Sequence, residues 1–326
     1  MIIVRAPFRI SFFGGGTDFY EYYSKYGGSV ISTTIDKYCY VNMRDLPPIF
    51  SYRNQLTYSK IERFNSPDEL SHPLVKAALK YIPYDGLQIS YDADLPACSG
   101  IGSSSAFAVA LVQGLRAMKG EYPDKMEIAR QAIHLERDMC KEAGGVQDQL
   151  ASAFGGLNRY NFTAEGFTVE PLKINPIRIK EFKKNLMLMF TGFTHLSGEV
   201  ARAQQDNIPD TLSYLDEIKT IVDKAQEVLT HGDLDDAGVL LDRSWELKKQ
   251  LSGSITTDEI DRIYLKAKEN GAIGGKILGA GGGGYMLLYV PEKDQEKVRG
   301  ALSDFSFVKF DFEKSGTVLM YENEVI

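Results

Sequence analysis

The sequence has 326 residues, of which 44% are hydrophobic and 25% charged, so it can bury a large core in one domain or two closely packed ones. Its 37 basic and 44 acidic side chains give a net charge of −7, which argues against a nucleic-acid partner. The longest uninterrupted apolar run, residues 106–112, is too short to span a membrane, and charged residues and a proline interrupt the apolar N-terminus, unlike a signal peptide. We therefore expect a cytoplasmic protein with no membrane partner. Its three widely separated cysteines are expected to be reduced thiols: Cys39, Cys98 and Cys140.

In chain order, the first half reads as strands followed by helices. Alternating apolar side chains and β-branched runs indicate the strands, and three- and four-residue apolar spacing indicates the helices. The predicted elements are a strand at 9–13, a helix at 19–26, strands at 29–43 and 87–95, and helices at 104–118 and 124–143. Asp124 is a good N-cap for the last of these helices.

The second half has a different pattern. A buried strand is expected at 185–190, helices dominate from 199 to 270, and a glycine loop follows. The predicted elements after that loop are a strand at 285–290, a helix at 292–303, and strands at 307–312 and 316–321. This succession indicates a small α+β sandwich at the C-terminal end. The proline-containing, charged segment 173–182 is the best domain boundary, which divides the chain into 1–178 and 179–326.

The stretch DLPACSGIGSSSAFAVALVQGL, residues 94–115, places glycines and serines directly before a predicted buried helix. Free N–H groups at a helix start and its dipole favour an anion, and glycines let phosphate oxygens approach the backbone. The lysine of the GxxxxGK[ST] phosphate loop is absent. These residues alone fit a phosphate site and a simple helix cap equally well.

Glu136 interrupts an apolar stripe of the predicted helix 124–143. A carboxylate that enters a core is costly unless it is paired or bound to a metal. One interpretation is a salt bridge with Arg130 or Arg137. Because neither arginine lies on the stripe, a Mg²⁺ ligand or a functional acid is favoured.

Three further groups of residues are candidates for a site. Asp148 follows a double glycine near a helix start, where it could be a helix-terminal charge or could accept a proton from a hydroxyl. Thr17 and Asp18 follow the first glycine set, with Arg9 on the strand before it, and a turn with a capping aspartate is the alternative. The five glycines within 279–284 exceed the needs of a turn, which indicates backbone pressed against a ligand.

Together these motifs resemble those of the GHMP kinases, a family of small-molecule kinases. APFRISFFGGGTDF resembles the family's N-terminal substrate motif, LPACSGIGSSSA its phosphate loop, KILGAGGGG its C-terminal glycine loop, and GGVQDQ the segment with the catalytic aspartate of galactokinases. The resemblance spans residues 4–290. It implies an α+β, two-domain fold, with a ribosomal protein S5 domain 2-like domain at 1–178 that binds ATP and substrate, and a ferredoxin-like α/β sandwich at 179–326. It also implies ATP and Mg²⁺, and a homodimer is compatible with the sequence.

The resemblance also implies roles for individual residues. Asp148 would be the catalytic base or orienting group, and Arg9 would stabilise charge near the transferred phosphoryl group. Ser104 and Glu136 would hold Mg²⁺. The residues implied for the ATP phosphates are Ser99, Gly100, Ile101, Gly102, Ser103, Ser104 and Ser105. Those implied for the substrate are Arg9, Gly15, Gly16, Thr17, Asp18, Asp148, Gly281 and Gly282.

One departure from the family pattern bears on the substrate. Galactokinases have Glu-His before the Thr-Asp of the first motif, whereas this chain has Gly15 and Gly16. The FFGGGTD form resembles the subgroup that phosphorylates the anomeric hydroxyl of D-glycero-D-manno-heptose 7-phosphate, for surface polysaccharide synthesis. A kinase for L-fucose or galactose is one alternative, and a non-catalytic sugar and ATP sensor is another. A 7-phosphate needs a further cationic patch, for which basic residues near the first motif are candidates, although surface charge is favoured for each: Lys25, Lys37, Arg44 and Arg53.

Overall fold

The computed structural model describes residues 1–97, 99–192 and 197–322. The strands are β1 (Ile2–Phe13), β2 (Gly28–Asp45), β3 (Asn54–Thr57), β4 (Ile61–Phe64), β5 (Leu87–Ala93), β6 (Leu157–Thr163), β7 (Gly166–Pro171), β8 (Leu186–Phe190), β9 (Gly274–Ile277), β10 (Tyr285–Tyr289), β11 (Ser306–Val308), β12 (Phe312–Glu313) and β13 (Val318–Glu322). The helices are α1 (Tyr20–Tyr26), α2 (Pro73–Tyr81), α3 (Ser103–Met118), α4 (Lys125–Ile133), α5 (Gln147–Phe154), α6 (Pro176–Lys184), α7 (Ser197–Asp206), α8 (Leu212–Thr230), α9 (Leu234–Lys249), α10 (Asp258–Glu269) and α11 (Gln295–Ala301). Cys98 lies outside the described residues, whereas Cys39 and Cys140 are free thiols, as the sequence predicts.

The larger sheet has nine strands within the described ranges and is organised around β2. One edge of β2 pairs antiparallel with β1 over most of its length, and its other edge pairs first with β6 and then with β5. β3 runs parallel to β5 and pairs with β4, while β7 pairs with β6. The side chains of β1 are almost all buried. The strand that ends at the first glycine set is therefore held between its neighbour β2 and the helices that pack on the sheet.

The smaller sheet has the strand order β11-β8-β10-β9, and all neighbours are antiparallel. Along the chain, β8 is followed by several helices, then by β9 and β10, a further helix, and finally β11. That succession with the spatial order fourth, first, third, second is the ferredoxin-like arrangement. The predicted α+β class is confirmed. Because α8 packs against β1 and β2 while α9 packs against β9, these helices join the two sheets.

Helix α3 explains the long apolar run that follows the glycines and serines. It packs against β1 and β2 on one side and against α4 and α5 on another. A helix covered on most faces needs apolar side chains all round rather than one stripe. Residues 105–112 are accordingly all buried, and the start of α3 is anchored.

Three predicted elements differ from the structure. The predicted helix 124–143 is α-helical only to Ile133 and continues as a π-helical turn, His134–Met139. The predicted strand 307–312 is interrupted, so that β11 lies in the smaller sheet and β12 pairs with β2. β13 pairs with the outer edge of β1, which would otherwise be unpaired. The predicted C-terminal sandwich therefore does not contain residues 312–322. No helix among the described residues is both long and apolar enough to cross a membrane.

Candidate active site

The glycine sets of the sequence meet at one cavity of about 1050 Å³. Its walls come from the end of β1, the start of α3, the π-helical turn, the start of α5, and helices α7 and α9. The predicted site residues that line it are Arg9, Gly15, Gly16, Asp18, Gly100, Gly102, Ser103, Ser104, Ser105, Glu136 and Asp148. Residues that are up to 139 positions apart in the chain thus form one site.

The loop before α3 is built on two glycines with left-handed backbone. Gly100 has φ 82° and Gly102 has φ 75°, conformations that a side chain disfavours. A Cβ at Gly100 would lie 2.4 Å from the carbonyl oxygen of Leu278, and one at Gly279 would lie 2.6 Å from the Cα of Gly100. The C-terminal glycine loop is therefore pressed against the backbone of the loop before α3. Residues 102–105 at the helix start line the cavity, where the first N–H groups of a helix have no partner within the helix.

Five predicted site residues do not line the cavity. The Ser99 hydroxyl donates to the carbonyl of Pro96 at 2.6 Å, and the carbonyl of Ile101 accepts from the backbone N–H of Arg9 at 3.0 Å, so both fasten the loop. The Thr17 hydroxyl donates to the carbonyls of Gly14 and Ser29, which explains its burial in a turn. The other two are Gly281 and Gly282, which pack against Ile255, while Gly279 and Ala280 face the cavity in their place.

Arg9 and Asp148 form a bidentate ion pair at the floor of the cavity. The guanidinium donates from Nε to Oδ1 and from Nη2 to Oδ2, both at 2.7 Å, and its Nη1 donates to the carbonyl of Gly100 at 2.5 Å. The side chains are 4% and 21% exposed, so the aspartate keeps access to the cavity. A Cβ at Gly102 would lie 3.3 Å from Oδ2 of Asp148. The aspartate therefore touches the loop before α3.

Asp18 is buried beside this pair. Its carboxylate accepts the backbone N–H groups of Gly16 at 3.0 Å and of Gln147 at 3.3 Å. Burial, and next the charge of Asp148, raise the pKa of Asp18. Gly145 is required here, because a Cβ at this position would lie 1.9 Å from Oδ2 of Asp18. Asp18 thus accepts hydrogen bonds from the turn and also lines the cavity.

Glu136 lies on the π-helical turn and is 1% exposed. Its carboxylate accepts from the Ser104 hydroxyl at 2.8 Å and from the Gln149 amide at 2.5 Å. The alternative of a salt bridge is wrong, because neither Arg130 nor Arg137 pairs with Glu136 and Arg137 donates to backbone carbonyls instead. No group of three metal-ligating side chains occurs among the described residues.

The carboxylate of Glu136 and the hydroxyl of Ser104, which lies at the start of α3, nevertheless fit Mg²⁺. This ion prefers hard oxygen ligands, keeps several waters, and is commonly held by one or two carboxylates together with substrate phosphates. The buried side-chain oxygen of Gln149 has no hydrogen-bond partner, which leaves a further acceptor beside Glu136. The Ser104–Glu136 pair therefore suits a cation that is brought with a phosphate ligand.

Two buried lysines in the cavity wall were not predicted. Lys248 of α9 is 5% exposed and donates to the carbonyl of Gly279, and Lys276 of β9 is 4% exposed and donates to the carbonyl of Phe12 at 3.3 Å. Neither forms an ion pair within the described ranges. The sequence signal resembles that of Glu136, because Lys248 lies three residues after the buried Trp245 on the same helix face.

Three cationic side chains, Arg9, Lys248 and Lys276, lie at this end of the cavity beside the carboxylates of Asp18 and Asp148. Burial, and next the charge of Arg9, lower the pKa of Lys248 to about 8. Burial, and next the charge of Lys248, lower the pKa of Lys276 well below its ordinary value. Burial is the largest cause for both lysines, and the negative charge of Asp18 offsets it only in part.

The basic residues that the sequence suggested for an additional cationic patch lie elsewhere. Lys37 pairs with Asp36 at 3.1 Å, Arg53 pairs with Asp85, and Arg44 donates to the Gln88 side chain. The fourth, Lys25, is exposed on α1. None of them lines the cavity, so the surface-charge interpretation is correct for each of these four.

Aromatic rings line another part of the cavity wall. Tyr58 and His72 have ring centroids 5.1 Å apart, His72 and Phe107 are 5.6 Å apart, and Tyr91 and Phe107 are 4.5 Å apart. Phe107 lies one turn after the start of α3, so this cluster adjoins the N-terminus of that helix. A planar apolar group attached to a phosphate chain would fit here.

The fold and these motifs define a small-molecule kinase, and comparison with known proteins agrees. The model of the GHMP kinases N terminal domain matches residues 73–156, and that of the GHMP kinases C terminal domain matches residues 225–306. The chain belongs to the GHMP kinase family.

Individual relatives indicate which kind of substrate this GHMP kinase phosphorylates. The chain is 31% identical to the D-glycero-alpha-D-manno-heptose 7-phosphate kinase of Campylobacter jejuni, over 94% of this chain and 97% of that one. It is 27% identical to the bifunctional fucokinase/GDP-fucose pyrophosphorylase of Arabidopsis thaliana, over 91% of this chain and 30% of that one. A crystal structure of a D-glycero-D-manno-heptose 1-phosphate kinase from Bacteroides thetaiotaomicron superposes with a TM-score of 0.79 and 25% identity, over 99% of this chain and 100% of that one. The protein is a sugar kinase.

Proposed function

We propose that this sugar kinase transfers the γ-phosphoryl group of ATP to the anomeric hydroxyl of D-glycero-α-D-manno-heptose 7-phosphate and yields the 1,7-bisphosphate. The names of the relatives from Campylobacter jejuni and Bacteroides thetaiotaomicron support a heptose phosphate substrate. The observation that carries the proposal is the Arg9–Asp148 ion pair, which lies in the cavity and against Gly102 of the loop before α3. We also propose that the protein acts in the cytoplasm and that its product is used for surface polysaccharide synthesis.

In the proposed transfer, Arg9, Asp148 and the start of α3 have separate roles. The N–H groups at the start of α3 hold the ATP phosphates, and the helix dipole favours their charge. The anomeric oxygen bonds to the γ-phosphorus while the bond to the β–γ bridging oxygen breaks and ADP leaves. Asp148 orients the hydroxyl and accepts its proton, and Arg9 holds the carboxylate in position and offsets the charge on the transferred group.

Ser104 and Glu136 hold Mg²⁺ in this proposal. When bound, the ion neutralises charge on the ATP phosphates and orients them for transfer. Their hydrogen bond places both oxygens at the helix start before the nucleotide arrives, and Gln149 keeps the carboxylate in one orientation. The adenine ring packs against the aromatic cluster of Tyr58, Tyr91 and Phe107.

Asp18 and Gly145 define the sugar end of the cavity. The two backbone hydrogen bonds to Asp18 fix its carboxyl group next to Asp148, where it can bind a sugar hydroxyl. Gly15 and Gly16 stand where galactokinases have Glu-His, which argues against galactose as the acceptor. The similarity to fucokinases keeps L-fucose as the second candidate acceptor.

A product assay tests the proposal. The protein is incubated with Mg·ATP and, separately, with D-glycero-D-manno-heptose 7-phosphate, the unphosphorylated heptose, L-fucose and galactose, and products are read by phosphorus NMR. An anomeric phosphate formed with heptose 7-phosphate at far higher kcat/KM than with the free sugars is the expected result. An anomeric phosphate formed only from L-fucose or galactose would refute the heptose assignment, and no ADP from any sugar would refute transfer to all of them.

A further inference from the structure

The structure contains a small polar space beside Gly15 that the transfer chemistry does not use. A Cβ at Gly15 would lie 3.8 Å from the Ser11 hydroxyl, 3.9 Å from the Gln147 side-chain nitrogen and 3.9 Å from the Lys276 ammonium. All three side chains line the cavity and are more than nine-tenths buried. Any side chain at residue 15 would fill this space, so glycine leaves it open for a ligand.

The groups around this space lack partners. The Ser11 hydroxyl is buried without a hydrogen bond, and the Lys276 ammonium has one long bond to a carbonyl. A buried ammonium without a counter-charge is costly, and buried polar groups without partners are uncommon in folded proteins. Both observations indicate that a ligand completes this cluster.

The charges indicate that the ligand group is an anion. The carboxylate of Asp148 is occupied by Arg9, and the carboxylate of Asp18 is oriented by backbone N–H groups. Three cationic side chains, Arg9, Lys248 and Lys276, stand against two carboxylates, Asp18 and Asp148, which leaves one positive charge in excess in this half of the cavity. In the proposed function the ATP phosphates bind at the start of α3, so the excess positive charge lies beside the acceptor sugar.

We infer that Lys276, Ser11 and Gln147 form a subsite for the phosphate that the acceptor sugar already carries. This inference rests on the proposed function, and it makes the enzyme selective for phosphorylated over free sugars. The ammonium supplies the charge, the serine hydroxyl and the glutamine amide donate hydrogen bonds, and Gly15 provides the room. Lys248 adds positive charge from α9 while bonded to the C-terminal glycine loop.

The test compares two acceptors, D-glycero-D-manno-heptose 7-phosphate and the unphosphorylated heptose, in the full-length protein. Lys276→Met is expected to raise KM for the phosphorylated sugar about 10- to 100-fold, the loss typical of a charged hydrogen bond. The preference for the phosphorylated sugar should fall by the same factor, while KM for ATP stays as in the wild type. Ser11→Ala removes a single donor from the same subsite and should reduce the preference less. The exposed Lys25→Met is the matched control for the loss of one positive charge.

The outcomes separate the inference from the function on which it rests. An equal loss of kcat/KM with both acceptors would overturn the inference and place Lys276 in phosphoryl transfer. An unchanged preference in folded Lys276→Met and Ser11→Ala would also overturn it, while a wild type that phosphorylates heptose 7-phosphate would leave the proposed function intact. If Lys276→Met does not fold, calorimetric titration of Ser11→Ala with heptose 7-phosphate in the absence of ATP decides, and an affinity equal to that of the wild type counts against the subsite.

Discussion

Replacement of Asp148 by alanine should destabilise the protein as well as abolish catalysis, because this aspartate is the counter-ion of a buried arginine. The variant removes two hydrogen bonds of 2.7 Å and leaves the Arg9 guanidinium, whose side chain is 4% exposed, with the carbonyl of Gly100 and with two buried lysines nearby. Breaking one half of a buried pair costs about 3–5 kcal/mol. We expect a loss of that size in the free energy of unfolding, and a rate reduced by about 10³-fold or more.

Urea unfolding followed by the fluorescence of Trp245, the single and fully buried tryptophan, measures the effect. The matched control is the ion pair of Arg243 and Glu217, which has the same bidentate geometry at 2.8 and 2.9 Å but lies on the surface. Glu217→Ala should cost no more than about 1 kcal/mol, because exposed pairs are screened by water and salt.

A double variant separates stability from catalysis. Arg9→Met combined with Asp148→Leu replaces both charges by apolar groups of similar volume, which is often neutral for stability. It should recover most of the lost free energy of unfolding and none of the activity. If Asp148→Ala unfolds within about 0.5 kcal/mol of the wild type, the buried pair is not formed and the reasoning fails.

Three further predictions concern other parts of the site. Glu136→Gln should raise the Mg²⁺ concentration for half-maximal rate about 10- to 100-fold, measured by Mg²⁺ titration at fixed ATP; an unchanged midpoint would remove Glu136 from the metal site. Gly145→Ala should lower the melting temperature, because its Cβ would lie 1.9 Å from the Asp18 carboxylate, and added Asp18→Ala should restore melting but not activity; wild-type melting of the single variant would contradict this packing. The value of kcat/KM for a phosphorylated sugar should fall as the pH rises through about 8, because the Lys248 ammonium loses its proton and its attraction for anions there. The acceptor phosphate is already dianionic above about pH 6 and does not mask this limb; Lys248→Met should lack it, and a limb that persists in the variant would assign it to another group.

Much of the local structure could be predicted from the sequence, because it depends on patterns within one segment. The alternation in β1, the buried helix α3 and the N-cap of α4 all follow from side-chain spacing and capping chemistry. Glu136 could be singled out because a carboxylate on an apolar stripe is costly wherever the helix lies. The π-helical turn was not predictable from the same spacing, since helices of slightly different pitch share it over a few residues.

Partners across the chain could not be predicted in this way. The hydroxyl of Thr17 has the chemistry to bind a substrate, yet it already donates to the carbonyls of Gly14 and Ser29. Glu136 had two candidate arginines nearby in sequence, whereas its partners are Ser104 and Gln149. Proximity along the chain favours the wrong partner when a fold brings distant segments together.

The sequence by itself determined the glycine loops, the buried helix that anchors one of them, and the residue types for phosphate and sugar chemistry. Only the tertiary structure decided that Arg9 pairs with Asp148 across 139 positions, and that β13 closes the edge of β1. It alone decided that Lys248 and Lys276, from the second half of the chain, line the same cavity as Arg9 and Asp148. The physical reason is that periodicity and capping act within a few residues, whereas burial of charge is settled only when separate segments pack around it.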